Sequence, residues 1–244
     1  ANSARLMSKI ADVLNKPEDA KKFRNLFEKI KKGYRYNYTE NGIINSKRQC
    51  KYVRPTDFGF LTQEEENEAV KKLNQKVIEN DYKIGTGFLT TPKILQVLSK
   101  HGFIGTAYGM LENEQRPGWL YEVKKGATTI WENWNGIDDE GAPRDSFNHY
   151  LMGSVVSWLF THVAGIRPLK PGYEKIIIKP LPGGSLTWAQ CTYKSVAGSI
   201  SSKWKVQQGD FTLTIEIPSS AQIHLPDGTS QEVQKGKHSF KCQL

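Results

Sequence analysis

The chain has 244 residues and a formal net charge of +9, and 38% of its residues are hydrophobic. A chain of this length buries a sizeable core and makes one or two domains. No stretch of it approaches the ~20 consecutive apolar residues that a membrane-spanning helix needs. The N-terminal residues lack the apolar core of a signal peptide, which leaves the compartment open.

The positive charge does not by itself indicate a nucleic-acid partner. The lysines near the N-terminus are interspersed with acidic residues, namely Asp12, Glu18, Asp19 and Glu28. Mixed charge of this kind is typical of a solvated helix surface. No zinc-finger, P-loop or RNA-recognition signature accompanies it, so we expect no nucleic-acid partner.

The cysteines indicate neither a disulfide framework nor a metal site. Cys50, Cys191 and Cys242 are odd in number and far apart in the sequence. Paired or closely spaced cysteines would be needed for either feature. We therefore expect no metal and no other cofactor.

The first two thirds of the chain have mainly helical periodicity. Residues 1–32 predict two helices, with a restart at Pro17 and a stop at Gly33. The stretch 34–61 has no clear period. Three further amphipathic helices follow, after Thr62, at Thr91 and around Ile104. Helices separated by loops with Gly and Pro are typical of stacked antiparallel helix pairs.

One stretch, residues 126–134, combines a carboxylate with two indoles in the sequence Gly-Ala-Thr-Thr-Ile-Trp-Glu-Asn-Trp. Indole faces suit the C–H faces of a sugar ring. A carboxylate held between Trp131 and Trp134 would lose hydration and have a raised pKa, as in a glycosidase. Alternatively, Thr129 and Glu132 have the spacing of a helix capping box. The poor helix formers that follow Glu132 argue against that alternative.

Residues 146–164 are apolar around nearly the whole circumference of a helix, which predicts a fully enclosed helix. His149 would lie in its first turn, close to Ser146 as the N-cap. From the sequence alone, a histidine at this position is either a capping or core residue or a ligand-binding residue.

The periodicity changes at Gly165. Beyond it, short alternating or apolar runs are separated by turn signals, which predicts an antiparallel β-sandwich. The five predicted strands are 176–178, 186–193, 199–206, 211–217 and 222–225. Trp188 and Trp204 would either form a sugar-binding surface or pack in the sandwich core.

The motif at 126–134, followed by Asn148-His149-Tyr150 and Gly153-Ser154-Val155, resembles the bacterial α-L-rhamnosidases. These are inverting glycoside hydrolases with an (α/α)6 barrel. The resemblance implies a multi-domain α and β fold, in which the C-terminal part of that barrel is followed by an antiparallel β-sandwich. It places the partial barrel at 1–165 and the sandwich at 166–244.

The resemblance also implies roles for individual residues. Glu132 corresponds to the general base. His149 corresponds to a histidine that contacts the sugar, and we predict that Trp131, Trp134 and Trp119 also bind the substrate. We expect Glu132 and His149 to face one shared concavity, lined by Trp131 or Trp134. A rhamnoside is then the expected substrate.

The acid-bearing motif of the family is not found in this sequence, so the chain would carry half an active site. We then expect it to need the missing N-terminal part of the same protein as its partner. If the general acid does lie in this chain, Asp57, Asp138 and Asp139 are the first candidates.

Three other interpretations remain open. A non-catalytic carbohydrate-binding protein would keep the aromatic surface and need no acid. A purely structural module would bury all these aromatic residues in its core. Another (α/α)6 glycosidase would differ only in the stereochemistry of its sugar.

Overall fold

The computed structural model describes residues 1–138 and 140–244. The chain divides into two compact units, Ala1–His101 and Gly102–Leu244, which are described separately. In the described residues, no helix combines the length and the apolar character that crossing a membrane requires.

The first unit is helical. Its helices are α1 (Asn2–Val13), α2 (Pro17–Tyr38), α3 (Cys50–Phe58), α4 (Gln63–Ile78) and α5 (Thr91–Lys100). The hydroxyl of Ser8 in α1 donates to the carbonyl of Ala20 in α2 at 3.0 Å. Large side chains from α3, α4 and α5 are fully buried in the core, among them Tyr52, Val70, Leu73, Ile94 and Leu98.

One prediction for this unit was wrong. Gly33 does not end α2, which continues to Tyr38, because a single glycine weakens a helix by only ~1 kcal/mol. The stretch without a clear period contains α3, with Pro55 inside it.

The second unit begins with helices. These are α6 (Ile104–Leu111), α7 (Trp119–Lys124), α8 (Tyr150–Gly153) and α9 (Val155–Trp158), and a π-helical turn, Leu159–Val163, follows α9 directly. The predicted continuous helix over 146–164 is therefore wrong in two respects. It begins at Tyr150, and it is not enclosed on all sides, since Tyr150 is 79% exposed.

The rest of the second unit forms two four-stranded sheets. The first sheet has the order β1 (Ile166–Pro168), β2 (Ile176–Ile178), β6 (Ala221–His224) and β7 (Ser230–Val233). The second has the order β3 (Trp188–Ser195), β4 (Gly198–Gln207), β5 (Asp210–Ile217) and β8 (Gly236–Gln243). Strand pairs are antiparallel except β2–β6, which is parallel. The predicted fold class, a helical part followed by a β domain, is confirmed.

The expectation that Trp188 and Trp204 pack in the sandwich core is confirmed for Trp204 and wrong for Trp188. Trp204 is fully buried and lies 6.1 Å, between ring centroids, from Phe211 on β5. Trp188 lies on the outer strand β3 and is 60% exposed, so it does not pack in the core.

The last helical turn is joined to the sheets by side chains of β4. The indole N–H of Trp204 donates to the carbonyl of Val163 at 2.7 Å. The hydroxyl of Ser202 donates to the carbonyl of Ala164 at 2.8 Å. Gly165 follows with a φ of +76°, and a Cβ there would lie 2.2 Å from the backbone of Lys179. The chain therefore needs glycine where it passes from helix to strand.

Candidate functional site

Residues 130–138 and 140–149 form the two arms of an antiparallel loop, hereafter the site loop. Among these described residues, four backbone hydrogen bonds join the arms. The N–H of His149 donates to Ile130 O at 2.8 Å, and that of Glu132 to Ser146 O at 2.8 Å. The N–H of Arg144 donates to Gly136 O at 2.7 Å, and that of Asp138 to Ala142 O at 3.0 Å. The pairing places Glu132 and His149 on opposite arms near the base of the loop. Two residues that are 17 positions apart are therefore brought close together by backbone pairing.

Glu132 is exposed, and its carboxylate is oriented by the opposite arm. Its Oε2 accepts a hydrogen bond from the N–H of Ser146 at 3.4 Å. The expectation that Glu132 is enclosed between two indoles was wrong, because the backbone pairing with Ser146 turns it towards solvent.

The capping-box alternative for Glu132 was also wrong. No helix follows Thr129, whose hydroxyl donates to the carbonyl of Phe147. A capping box is present instead at α4, between Thr62 and Glu65.

Trp131 is buried, with 2% of its surface exposed. Its ring stacks on Phe147 at 5.3 Å between centroids. Gly136 lies against the other part of the ring, and a Cβ on Gly136 would be 2.7 Å from Trp131 Cε3. The indole therefore packs the inside of the site loop and offers no free face in this structure.

Trp119 and Trp134 form an edge-to-face pair, with centroids 5.8 Å apart and an angle of 86° between their planes. Trp119 is 4% exposed, and its indole N–H donates to the carbonyl of Met152 at 3.1 Å. Trp134 is half-buried, so it is the more accessible ring of the pair. Trp119 supports Trp134 from behind, next to the start of α8.

His149 immediately precedes α8, and its own carbonyl accepts from the N–H of Gly153 at 3.2 Å. Its ring is half-buried and stacks on Tyr150 at 5.7 Å and 10°. Ser146 does not cap the helix, because its hydroxyl bonds the carbonyl of Asn148. His149 is therefore the N-cap residue of α8 and does not lie in the first turn as predicted. It lies at the base of the site loop.

A second glutamate, which the sequence analysis missed, lies behind the site loop. Glu122 in α7 is 0% exposed, and its Oε2 accepts from the backbone N–H of Trp131 at 3.1 Å. Burial raises the pKa of Glu122 to about 7, and the Trp131 N–H opposes that rise. The signal available in the sequence was a lone acid among Trp119, Leu120, Tyr121 and Val123.

The candidate acids have different surroundings. Asp57, in the first unit, lies 3.8 Å from the ammonium of Lys93. Asp138 accepts from the N–H of Ala142 at 2.7 Å and faces Arg144 at 3.7 Å. Asp139 lies outside the described residues. Within residues 1–138 and 140–244, no group of three or more His, Cys, Asp or Glu is arranged to hold a metal ion.

Comparison with protein families identifies both parts of the chain. Residues 1–163 match the model of the bacterial alpha-L-rhamnosidase 6 hairpin glycosidase domain. Residues 165–240 match the bacterial alpha-L-rhamnosidase C-terminal domain. The chain belongs to the bacterial α-L-rhamnosidase family.

Two curated rhamnosidases align with nearly the whole chain. An alpha-L-rhamnosidase of Streptomyces avermitilis is 34% identical over 98% of this chain, which corresponds to 24% of that protein. One from Formosa agariphila is 33% identical over 98% of this chain and 27% of its own length. The chain therefore spans about a quarter of the length of these rhamnosidases.

Solved rhamnosidase structures share the fold. The Aspergillus terreus enzyme superposes with a TM-score of 0.94 at 33% identity, over 99% of this chain and 30% of that chain. The Streptomyces avermitilis enzyme, solved in complex with L-rhamnose, gives a TM-score of 0.93 at 31% identity, over 99% of this chain and 26% of that chain.

Proposed function

We propose that this chain is the C-terminal portion of an α-L-rhamnosidase that removes terminal α-L-rhamnose from glycosides or polysaccharides. The observation that carries the proposal is the site loop, which sets an exposed carboxylate opposite His149 within a domain of the rhamnosidase family. The names of the relatives support the same substrate class.

Glu132 is proposed as the general base of an inverting reaction. In such a reaction one carboxylate takes a proton from water while a second, protonated carboxyl gives a proton to the leaving oxygen. Glu132 suits the first role because its side chain is exposed to water and Ser146 N–H fixes one of its oxygens. The other oxygen then remains available to accept the proton.

The general acid is proposed to lie outside this chain, in the part of the enzyme that the relatives possess and this chain does not span. Of the candidates within the chain, Asp57 and Asp138 are held in ion pairs with Lys93 and Arg144.

The sugar-binding site is proposed to consist of His149 and Trp134, supported by Trp131 and Trp119. Trp134 would contact the sugar directly, since its ring is only half-buried. Trp119 and Trp131 are buried and would hold Trp134 and the site loop in place.

The partial barrel is proposed to comprise residues 1–165 and the sandwich 166–244.

The stereochemistry of the first product tests the proposal. The complete enzyme should release β-L-rhamnose from an aryl α-L-rhamnoside, and ¹H NMR during the first turnovers should show the β anomer before mutarotation. Release of the α anomer would contradict the inverting role of Glu132. Binding of rhamnose without any turnover would favour a carbohydrate-binding protein instead.

A further inference from the structure

Glu122 accepts two hydrogen bonds from the chain segment that leads to Glu132, the candidate base. Its backbone carbonyl accepts from the N–H of Ala127 at 3.0 Å. Its side-chain Oε2 accepts from the N–H of Trp131 at 3.1 Å. One residue of α7 therefore holds both the start of the 126–134 motif and the residue before Glu132.

The three residues 130–132 are held from two sides. The Ile130 carbonyl and the Glu132 N–H bond to His149 and Ser146 on the opposite arm. Along an extended segment, successive backbone groups point in opposite directions. The Trp131 N–H therefore points away from the opposite arm, into a region that is fully buried. A buried N–H without an acceptor is destabilising, and the carboxyl of Glu122 supplies that acceptor.

We propose that Glu122 is a positioning residue for this reaction: by holding the Trp131 N–H, its buried carboxyl fixes the place of Glu132 relative to His149. The inference rests on the proposed function of Glu132. It assigns Glu122 no contact with the sugar.

The hydrogen bond from Trp131 to Glu122 can be detected through the protonation of the Glu122 carboxyl. Its Oε1 is buried and has no hydrogen-bond partner among the described residues. The charged groups on the same helix are engaged elsewhere, since Lys124 pairs with Glu114 and Lys125 lies 5.8 Å from the ring centroid of Tyr121. No charged side chain is among the causes of its raised pKa, which are burial opposed by the Trp131 N–H. The site loop brings two further titratable side chains near Trp131, those of Glu132 and His149. The Glu122→Gln variant is therefore needed to assign a titration of the Trp131 N–H to Glu122.

The first experiment observes the hydrogen bond directly in this chain. With ¹⁵N-tryptophan labelling, the backbone amide of Trp131 should shift with an apparent pKa near 7 between about pH 5 and about pH 9. Glu122→Gln should abolish that titration. The matched control is Glu112→Gln, since Glu112 is also a carboxylate that accepts a backbone N–H, that of Ser185 at 2.8 Å. A Trp131 amide that does not titrate in the unsubstituted chain, or that titrates unchanged in the Glu122→Gln variant, would overturn the proposal.

The second experiment asks whether the contact matters for the reaction in the complete enzyme. Glu122→Gln keeps an acceptor for the Trp131 N–H, and its kcat at pH 6 should stay within about threefold of the unsubstituted enzyme. Glu122→Leu removes the acceptor and should lower kcat ~10–100-fold with little change in KM, since small misplacements of a reacting group have effects of this size. Glu112→Gln should leave both parameters unchanged.

A purely structural role gives a different result. Glu122→Leu would then lower the melting temperature while each folded molecule kept its kcat, and this outcome would overturn the proposal. If Glu122→Leu does not fold, the Trp131 titration still decides the question. If Glu132→Gln proves fully active, the role of Glu132 fails, and the Trp131 amide still shows whether Glu122 holds the loop.

Discussion

Glu132 and Ser146 are joined by two hydrogen bonds. The N–H of Glu132 donates to the carbonyl of Ser146 at 2.8 Å, and the N–H of Ser146 donates to Oε2 of Glu132 at 3.4 Å. The first bond fixes the backbone of the candidate base and the second orients its side chain. A substitution of the Glu132 side chain leaves the backbone bond in place. It therefore tests the chemical role of the carboxylate separately from the role of the backbone in holding the loop.

Glu132→Gln in the complete enzyme should lower kcat by ~10²–10⁴, the usual contribution of a general base, while sugar binding survives. The amide keeps the shape of the side chain but cannot take a proton from water. Azide, an anion that needs no deprotonation, should partly rescue the variant and give the inverted glycosyl azide. Kinetics with an aryl α-L-rhamnoside and NMR of the product measure both effects.

The control for this substitution is Glu140→Gln, which removes an exposed carboxylate from the same loop. It should leave kcat unchanged. Near-normal turnover by the Glu132→Gln variant would show that Glu132 is not the general base.

The 244-residue chain alone should not hydrolyse an aryl α-L-rhamnoside at a useful rate. Without a general acid the leaving group departs unprotonated, which costs ~10²–10⁴ in rate. Release of the aryl alcohol, followed by absorbance, is the measurement. A kcat in the usual enzyme range of ~1–10³ s⁻¹ would reveal an acid within the chain, and Asn substitutions of Asp57, Asp138 and Asp139 would then locate it.

Raising the pH should destabilise the chain through Glu122. Burial raises its pKa from 4.5 to about 7, so between these values the folded chain holds a proton that the unfolded chain has released. The stabilising contribution is complete below the lower value and is lost as pH rises through the higher one. We expect a loss of about 1–3 kcal/mol by about pH 9.

Urea unfolding of the chain at several pH values measures this loss. Glu122→Gln should weaken the pH dependence of the free energy of unfolding over the same pH range, because the amide does not titrate. Glu112→Gln is the matched control and should retain the slope. An identical slope in the chain and in Glu122→Gln would assign the pH dependence to other groups.

Gly136→Ala should destabilise the site loop. The new Cβ would lie 2.7 Å from the Trp131 ring, and overpacking of a buried site costs ~1–3 kcal/mol. The matched substitution is Gly105→Ala in α6, where nothing lies within 4 Å of the added Cβ. It should be neutral or stabilise the chain by up to ~1 kcal/mol, since Ala is the better helix former. Equal melting temperatures for the two variants would mean that the Trp131–Gly136 contact is not tight.

Trp204→Phe should cost ~1–3 kcal/mol, because it leaves the buried carbonyl of Val163 without its donor. Trp188→Phe, at a side chain 60% exposed, should change stability by less than ~0.5 kcal/mol. Chemical unfolding of the two variants side by side tests the contrast. A smaller loss for Trp204→Phe than for Trp188→Phe would contradict it.

The sequence predicts those elements that have a strongly apolar face. The periodic apolar residues of α4 and α5 are buried in the structure, and so are those of β4 and β5. The strands β7 and β8 were missed because most of their side chains are exposed or half-buried, which leaves no apolar alternation to detect. The helix over 146–164 was predicted too long because composition does not show where it starts.

The residues of the candidate site were proposed from the sequence, but their pairings were not. The motif at 126–134 and His149 were found from the sequence. The backbone bonds that join Ile130 to His149 and Glu132 to Ser146 depend on the path of the chain, which local propensity does not encode. Glu122 was missed for a related reason, since only its burial distinguishes it from a surface acid.

The junction between the last helix and the sheets sets a rule for exchanging domains among relatives. The final carbonyls of a helix are usually capped by residues that follow at once. Here the carbonyls of Ala164 and Val163 take their donors from Ser202 and Trp204, which come 38 and 41 residues later. A chimera carrying the sheets of another rhamnosidase would need a hydroxyl and an indole at those two positions of β4. Donor domains for such grafts are therefore better chosen by these two side chains than by overall identity.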